Sequence, residues 1–167
     1  MSVRRGGAAV AQRQETLTRE QERFIEALGL LYERQGVPRI GGRMMGLFLI
    51  SDAPLSPEQI ADLLKVSRAS VSTNLRIFTT TGICDDVSVP GDRRRYYVMR
   101  EDAFVHHLEA NLGSVRKLGD LCRDALDTVP SGRGPARRRL QESVAYCQFM
   151  EKEIAAIAAR WRSRRSR

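Results

Sequence analysis

Residues 55 to 100 set two short capped helices directly before a change of period, and that order constrains the fold more than any other feature. Ser56 is a helix N-cap, Pro57 takes the first helical position, and Glu58 and Gln59 fill the first turn. Ile60, Leu63 and Leu64 supply an apolar face. Lys65-Val66 forms a turn, Ser67 caps the next helix, and Gly82 ends it. From residue 83 the pattern alternates through Val87 and Val89, turns at Pro90-Gly91-Asp92, and returns along the β-prone Tyr96-Tyr97-Val98-Met99. Arg93, Arg94 and Arg95 stand just past the hairpin tip.

A supporting helix, a tight turn, a second helix and a basic hairpin together predict a winged helix-turn-helix. On the second helix, Val71, Leu75 and Phe78 share the core face, while Ala69, Ser70, Thr73, Arg76 and Thr80 lie broadly opposite. Neither Asp nor Glu occurs between 67 and 82, which removes repulsion toward phosphate. Ser67, Arg68 and Ser70 crowd the helix N-terminus, where free N–H groups and a cation suit phosphate or base contact. Strand alternation is expected to send Arg93 and Arg95 to one side of the hairpin and Arg94 to the other. A narrow minor groove attracts such a wing.

Helices flank this head. Thr18 and Gln21 form a capping box for a first helix with Phe24, Leu28 and Leu31 on one face, ended by Gly36-Val37-Pro38. A second runs from Arg39 to about Ile50 with Ile40, Met44, Leu47 and Phe48 inward, and its Gly41, Gly42 and Gly46 imply close packing. Beyond the hairpin, Phe104, Leu108, Asn111, Val115, Leu118, Cys122, Ala125 and Val129 alternate at four and three, the spacing of a helix–helix seam. After a break at 130–135, a last helix carries Leu140, Val144, Cys147, Ile154, Ala158 and Trp161. The expected organisation is a flexible basic arm (1–15), an N-terminal dimerisation helix (16–37), the winged helix-turn-helix (38–100), a C-terminal helical dimerisation region (101–163) and a basic tail (164–167). The fold class is thus mainly α with a small β-hairpin wing and long terminal dimerisation helices.

Charge indicates the partner. Lys plus Arg total 28 against 20 Asp plus Glu, a net +8, which favours a phosphate-rich partner. Nearly all of it is arginine, suited to bidentate contact with phosphate and guanine, although a coding bias toward arginine gives the same composition. No apolar run approaches the roughly 20 residues of a membrane span, and no signal peptide is recognisable, so a cytoplasmic, nucleoid-associated protein with no membrane partner is expected. The three cysteines, Cys84, Cys122 and Cys147, lack metal or disulfide spacing. They read as apolar fillers or as redox sensors. His106 and His107 are adjacent and cannot both face one metal from a helix. No nucleophile–base arrangement, paired carboxylates or phosphate loop is present, so neither catalysis nor a cofactor is expected.

The motifs V-P-R-I-G-G-R-M-M-G-L-F-L-I (37–50), L-S-P-E-Q-I-A-D-L-L (55–64), S-R-A-S-V-S-T-N-L-R (67–76) and G-D-R-R-R-Y-Y (91–97) carry a resemblance to a family. The chain resembles the MarR superfamily of winged-helix regulators, and most of all its GbsR branch. The resemblance implies a triangular homodimer with intertwined terminal helices, two heads on successive major grooves of double-stranded DNA, and transcriptional control, often repression, sometimes relieved by a small effector. Ser67, Arg68, Ser70, Ser72, Thr73 and Arg76 match the family's recognition helix, and Arg93, Arg94 and Arg95 its wing. Arg39 and Arg43 match the branch's arginines in the second helix, to be explained by phosphate contact or by a structural ion pair with Asp or Glu. A quaternary-ammonium effector would need an aromatic cage, for which Tyr32, Tyr146, Phe149 and Trp161 are the aromatic residues to consider. The competing readings are a protein-interaction module and a sequence-neutral DNA-binding protein.

Overall fold

The computed structural model describes residues 16–132 and 134–165. Eight elements follow one another: α1 (Arg19–Arg34), α2 (Arg39–Ile50), α3 (Pro57–Leu64), α4 (Arg68–Thr80), β1 (Cys84–Ser88), β2 (Arg95–Met99), α5 (Ala103–Ala125) and α6 (Pro135–Arg165). The chain divides into two compact units at Glu101/Asp102. The expected arm at 1–15 lies outside the described residues, as do the last two residues of the expected tail. Its first two continue α6 to Arg165.

The first unit folds around one apolar core. Thr18 and Ser56 each close a reciprocal capping box, with Gln21 and Gln59, and so fix the starts of α1 and α3. Met44, Leu47 and Phe48 of α2 meet Ile60 and Leu64 of α3 and Val71, Leu75 and Phe78 of α4. The Phe48 and Phe78 rings sit 6.0 Å apart, tilted by 46°, within the favourable range for aromatic pairs. The α1–α2 crossing depends on glycine. A Cβ at Gly42 would lie 2.6 Å from the Leu28 carbonyl oxygen and 2.9 Å from the Gly29 Cα, so only hydrogen fits there.

Between α3 and α4, Lys65 takes left-handed backbone (φ 53°) and ends α3. That single residue turns the chain sharply enough to place α4 against α2 and α3. Strands β1 and β2 pair antiparallel from Cys84↔Met99 to Ser88↔Arg95. Leu55 joins the hairpin base, exchanging two 2.9 Å backbone hydrogen bonds with Tyr97. The wing is therefore tied to the segment that begins α3.

In the second unit, α5 and α6 pack antiparallel. Gly119 faces Cys147 closely, Arg116 Nε reaches Glu151 Oε1 at 2.6 Å, and Arg162 pairs with Glu109. The buried stripe differs from the expected one by a register step. Val105, Leu112 and Gly119 are buried, whereas Phe104, Asn111 and Leu118 are exposed. The same shift occurs in α1, where Ile25 and Gly29 are buried while Phe24 and Leu31 are exposed. On α6, Cys147, Ile154 and Ala158 are buried but Trp161 is exposed. Each of these helices carries a second apolar face, and the periodicity legible in the sequence mixes the two. No helix among the described residues is long and apolar enough to cross a membrane.

Candidate nucleic-acid interface

Helix α4 turns its apolar face into the core and leaves a polar face outward. Arg68, Ala69, Ser72, Thr73, Arg76, Ile77, Thr79 and Thr80 are exposed, opposite buried Val71, Leu75 and Phe78. The side chains at the start of the helix are committed to its structure. Ser67 Oγ accepts from the Ser70 amide at 3.2 Å and donates to Ser70 Oγ at 3.0 Å, so Ser67 is the N-cap and Ser70 its buttress. Arg68 stands well exposed, with its guanidinium 3.7 Å from Glu58, a separation that leaves it free to swing toward another anion. Ser72, Thr73 and Arg76 are exposed and have no side-chain partner among the described residues. No carboxylate interrupts the helix.

On the wing the three arginines have different settings. Arg93 is exposed and has no ion-pair partner among the described residues. Arg94 folds back onto Asp92: its amide donates to Oδ1 at 2.9 Å and its Nη2 to Oδ2 at 2.6 Å. Its guanidinium also lies 5.5 Å from the centre of the Tyr96 ring, a cation–π distance. Tyr96 donates its hydroxyl to the same carboxylate at 2.8 Å. The Arg94 and Tyr96 hydrogen bonds hold Asp92 well below the usual carboxylate range. Arg95 begins β2, mostly exposed, with Nη1 3.3 Å from Asp86. Arg93 and Arg94 precede β2, so of the three only Arg95 lies within the strand whose alternation was expected to sort them.

Arg39 and Arg43 resolve as ion pairs, each meeting Glu26 of α1, at 2.7 and 2.6 Å. Arg43 also donates to the Leu64 carbonyl at 2.7 Å, at the end of α3. The Arg43 Nε contact with Glu26 is close but poorly aligned for a hydrogen bond, so the carbonyl bond and the charge attraction are what hold this side chain. It ties α1 to the turn before α4.

The remaining candidates are quieter. Cys84 is buried, and burial, followed by Asp85 and Asp86, pushes its thiol up to about 12, which opposes the thiolate a redox sensor needs. Cys147 is buried against Gly119. His106 sits 3.0 Å from Asp102 on its own helix, and no group of three metal-ligating side chains occurs among the described residues. Tyr146, Phe149 and Trp161 are each exposed, and Trp161 lies about 18 Å along α6 from Phe149, so these three form no cage within one chain. Two features of the interface escaped sequence reasoning. Asp92 as the partner of Arg94 was signalled only by its place two residues earlier. Ile77 on the outward face of α4 was signalled by its spacing of four from Thr73.

A family model described as MmpR5-like MarR family transcriptional regulator matches residues 102–164. The HTH-type transcriptional regulator MmpR5 of Mycobacterium tuberculosis (strain ATCC 25618 / H37Rv) is 29% identical over 142 residues, spanning 84% of this chain and 86% of that protein. A crystal structure of a transcriptional regulator superposes with a TM-score of 0.80 at 28% identity, covering 86% of this chain and 99% of the other. The likeness found is to MmpR5-like members, and these matches do not bear on the expected GbsR branch.

Proposed function

We propose that the chain is a DNA-binding transcription regulator of the MarR family, a reading its likeness to MmpR5-like regulators supports, and that it represses transcription by holding a pseudo-palindromic operator as a homodimer. The observation that carries this reading is the outward face of α4. Ser72, Thr73 and Arg76 stand free of side-chain partners among the described residues, and Arg68 is held only by a loose, exposed pair with Glu58, on a helix without a carboxylate, a surface suited to an anionic, hydrogen-bonding partner. Ser67 and Ser70 set the helix start, whose first backbone N–H groups, those of Arg68 and Ala69, suit a phosphate. The wing arginines, Arg93 above all, add a second cationic contact beside it.

Dimerisation is supported by apolar surface that one chain leaves uncovered. Phe24 and Leu31 on α1, Leu118 and Leu121 on α5, and Tyr146 and Phe149 on α6 are all more than 40% exposed. Stripes of this kind mark surfaces that a partner covers. Release by a small effector has one support. A cavity of about 260 Å³ opens beside the turn before α4, walled by Leu17, Ile25 and Leu63 and by Glu22, Glu26, Arg43 and Lys65.

Selection of bound DNA from a random pool tests the reading. It predicts an inverted repeat with half-sites about 10 bp apart, centre to centre. Recovery of DNA with no shared sequence would instead indicate a sequence-neutral binder, and recovery of none a protein-interaction module.

A further inference from the structure

The reading role proposed for α4 raises the question of which bases that helix can distinguish, and this inference rests on that role. In the major groove arginine pairs with guanine, asparagine or glutamine with adenine, and a carboxylate accepts from cytosine. Apolar groups meet the thymine methyl, and serine or threonine hydroxyls serve any base. Most of this code is absent from α4. It holds no Gln, Asp or Glu. Its one amide, Asn74, is 8% exposed and donates Nδ2 to the Ser70 carbonyl at 2.9 Å, so it faces the core rather than DNA. The hydroxyls of Ser67 and Ser70 are bonded to each other.

The discriminating groups left on the outward face are two arginines, a line of methyl groups and, at the edge of that line, Ile77. At about 100° per residue, Ala69, Thr73 and Arg76 fall within a narrow arc at its centre, one turn after another, opposite Val71 and Phe78. Ala69 lies in the first turn, the part of a recognition helix that comes nearest the bases. Its short side chain lets the backbone approach, and a bare methyl in that place has no hydrogen bond to offer.

We infer that α4 recognises thymine through the methyl groups of Ala69 and Thr73 and guanine through Arg76, with no direct reading of adenine.

The test uses the full-length protein and the operator recovered by selection, resynthesised with deoxyuridine replacing each thymine in turn. That change removes one methyl group and nothing else. Affinity of the wild type is expected to fall about four-fold, the worth of one buried methyl, at one or more thymines in each half-site. Thr73→Ser, which keeps the hydroxyl but loses the methyl, or Ala69→Gly should abolish that sensitivity, whereas Thr73→Val should retain it. A consensus in which no thymine responds to uridine, or a response unchanged in both methyl-deleting variants, overturns the inference and leaves the DNA-reading role standing. A pool without any consensus removes both.

Discussion

The Asp92 carboxylate grips the Arg94 guanidinium through Nε at 3.1 and 3.0 Å and through Nη2 at 2.6 Å, and the Tyr96 hydroxyl completes the cluster. Arg94 is therefore partly neutralised before any DNA arrives, and its direction is set by a neighbour two residues away. Because Asp92 is held below the usual carboxylate range, this arrangement is complete above about pH 4 and is lost only as pH falls through the lowered value. It stays intact throughout the physiological range.

The wing arginines should accordingly differ in their salt response. Arg93→Ala is expected to weaken binding on all sequences and to reduce the salt slope by about one. Arg94→Ala should weaken binding with a smaller change of slope, since Asp92 already offsets its charge. Asp92→Asn frees a cation and should steepen the slope by about one. Binding isotherms across a salt series measure all three, and identical slopes for the three variants would dismiss the internal pairing.

Arg43 is expected to act on stability rather than on DNA. Its bonds run to Glu26 and to the Leu64 carbonyl, so Arg43→Ala should cost about 1.5–3 kcal/mol, the range for hydrogen bonds to a charged group. Urea unfolding reads this directly. A phosphate-contacting Arg43 would show the opposite signature, an unchanged midpoint with a flatter salt dependence of binding.

Cys84 should resist modification in the folded protein. Burial, followed by Asp85 and Asp86, pushes its thiol up to about 12 from a usual value near 8.5, so the folded state favours the neutral form. The associated stability is complete below the ordinary thiol value and is lost as pH rises from there toward 12. Cys84→Ser should flatten the fall in stability between pH 9 and 11, and alkylating reagents at pH 8 should leave Cys84 untouched until the protein is unfolded. Rapid labelling of folded protein would restore the redox-sensing reading.

The uncovered apolar faces predict an obligate association. Tyr146→Glu with Phe149→Glu, both on the exposed side of α6, should yield a monomer in sedimentation velocity. Its operator affinity should drop by about 100-fold or more as bivalent attachment is lost. A dimer that survives this change would move the interface elsewhere.

The helix-turn-helix and its hairpin were almost fully legible because local rules decide them. Ser56, Pro57 and Ser67 mark helix starts by their own chemistry, Gly82 marks a stop, and Val71, Leu75 and Phe78 share one face at any tertiary arrangement. The terminal helices were legible in extent but not in facing. Phe104 and Val105 both look apolar, and only the folded chain shows that Val105 is buried while Phe104 remains exposed. A helix with two apolar faces yields stripes one residue apart, and periodicity cannot say which belongs to its own chain. Side-chain partners were the least legible. Nothing local distinguishes Arg93, free of ion pairs among the described residues, from Arg94, which is bound to Asp92. Nor does the sequence show that Asn74 faces inward or that Arg39 and Arg43 converge on Glu26.

Hydroxyl-radical footprinting of the full-length protein on its selected operator tests the central claim most directly. Two heads built on α4, each flanked by an arginine-bearing wing, predict two protected patches on one face of the duplex, centred about 10 bp apart. Loss of the flanking minor-groove protection should follow when Arg93 and Arg94 are both changed to alanine. A single continuous protected stretch, or a pattern indifferent to substitutions on both α4 and the wing, would contradict the account.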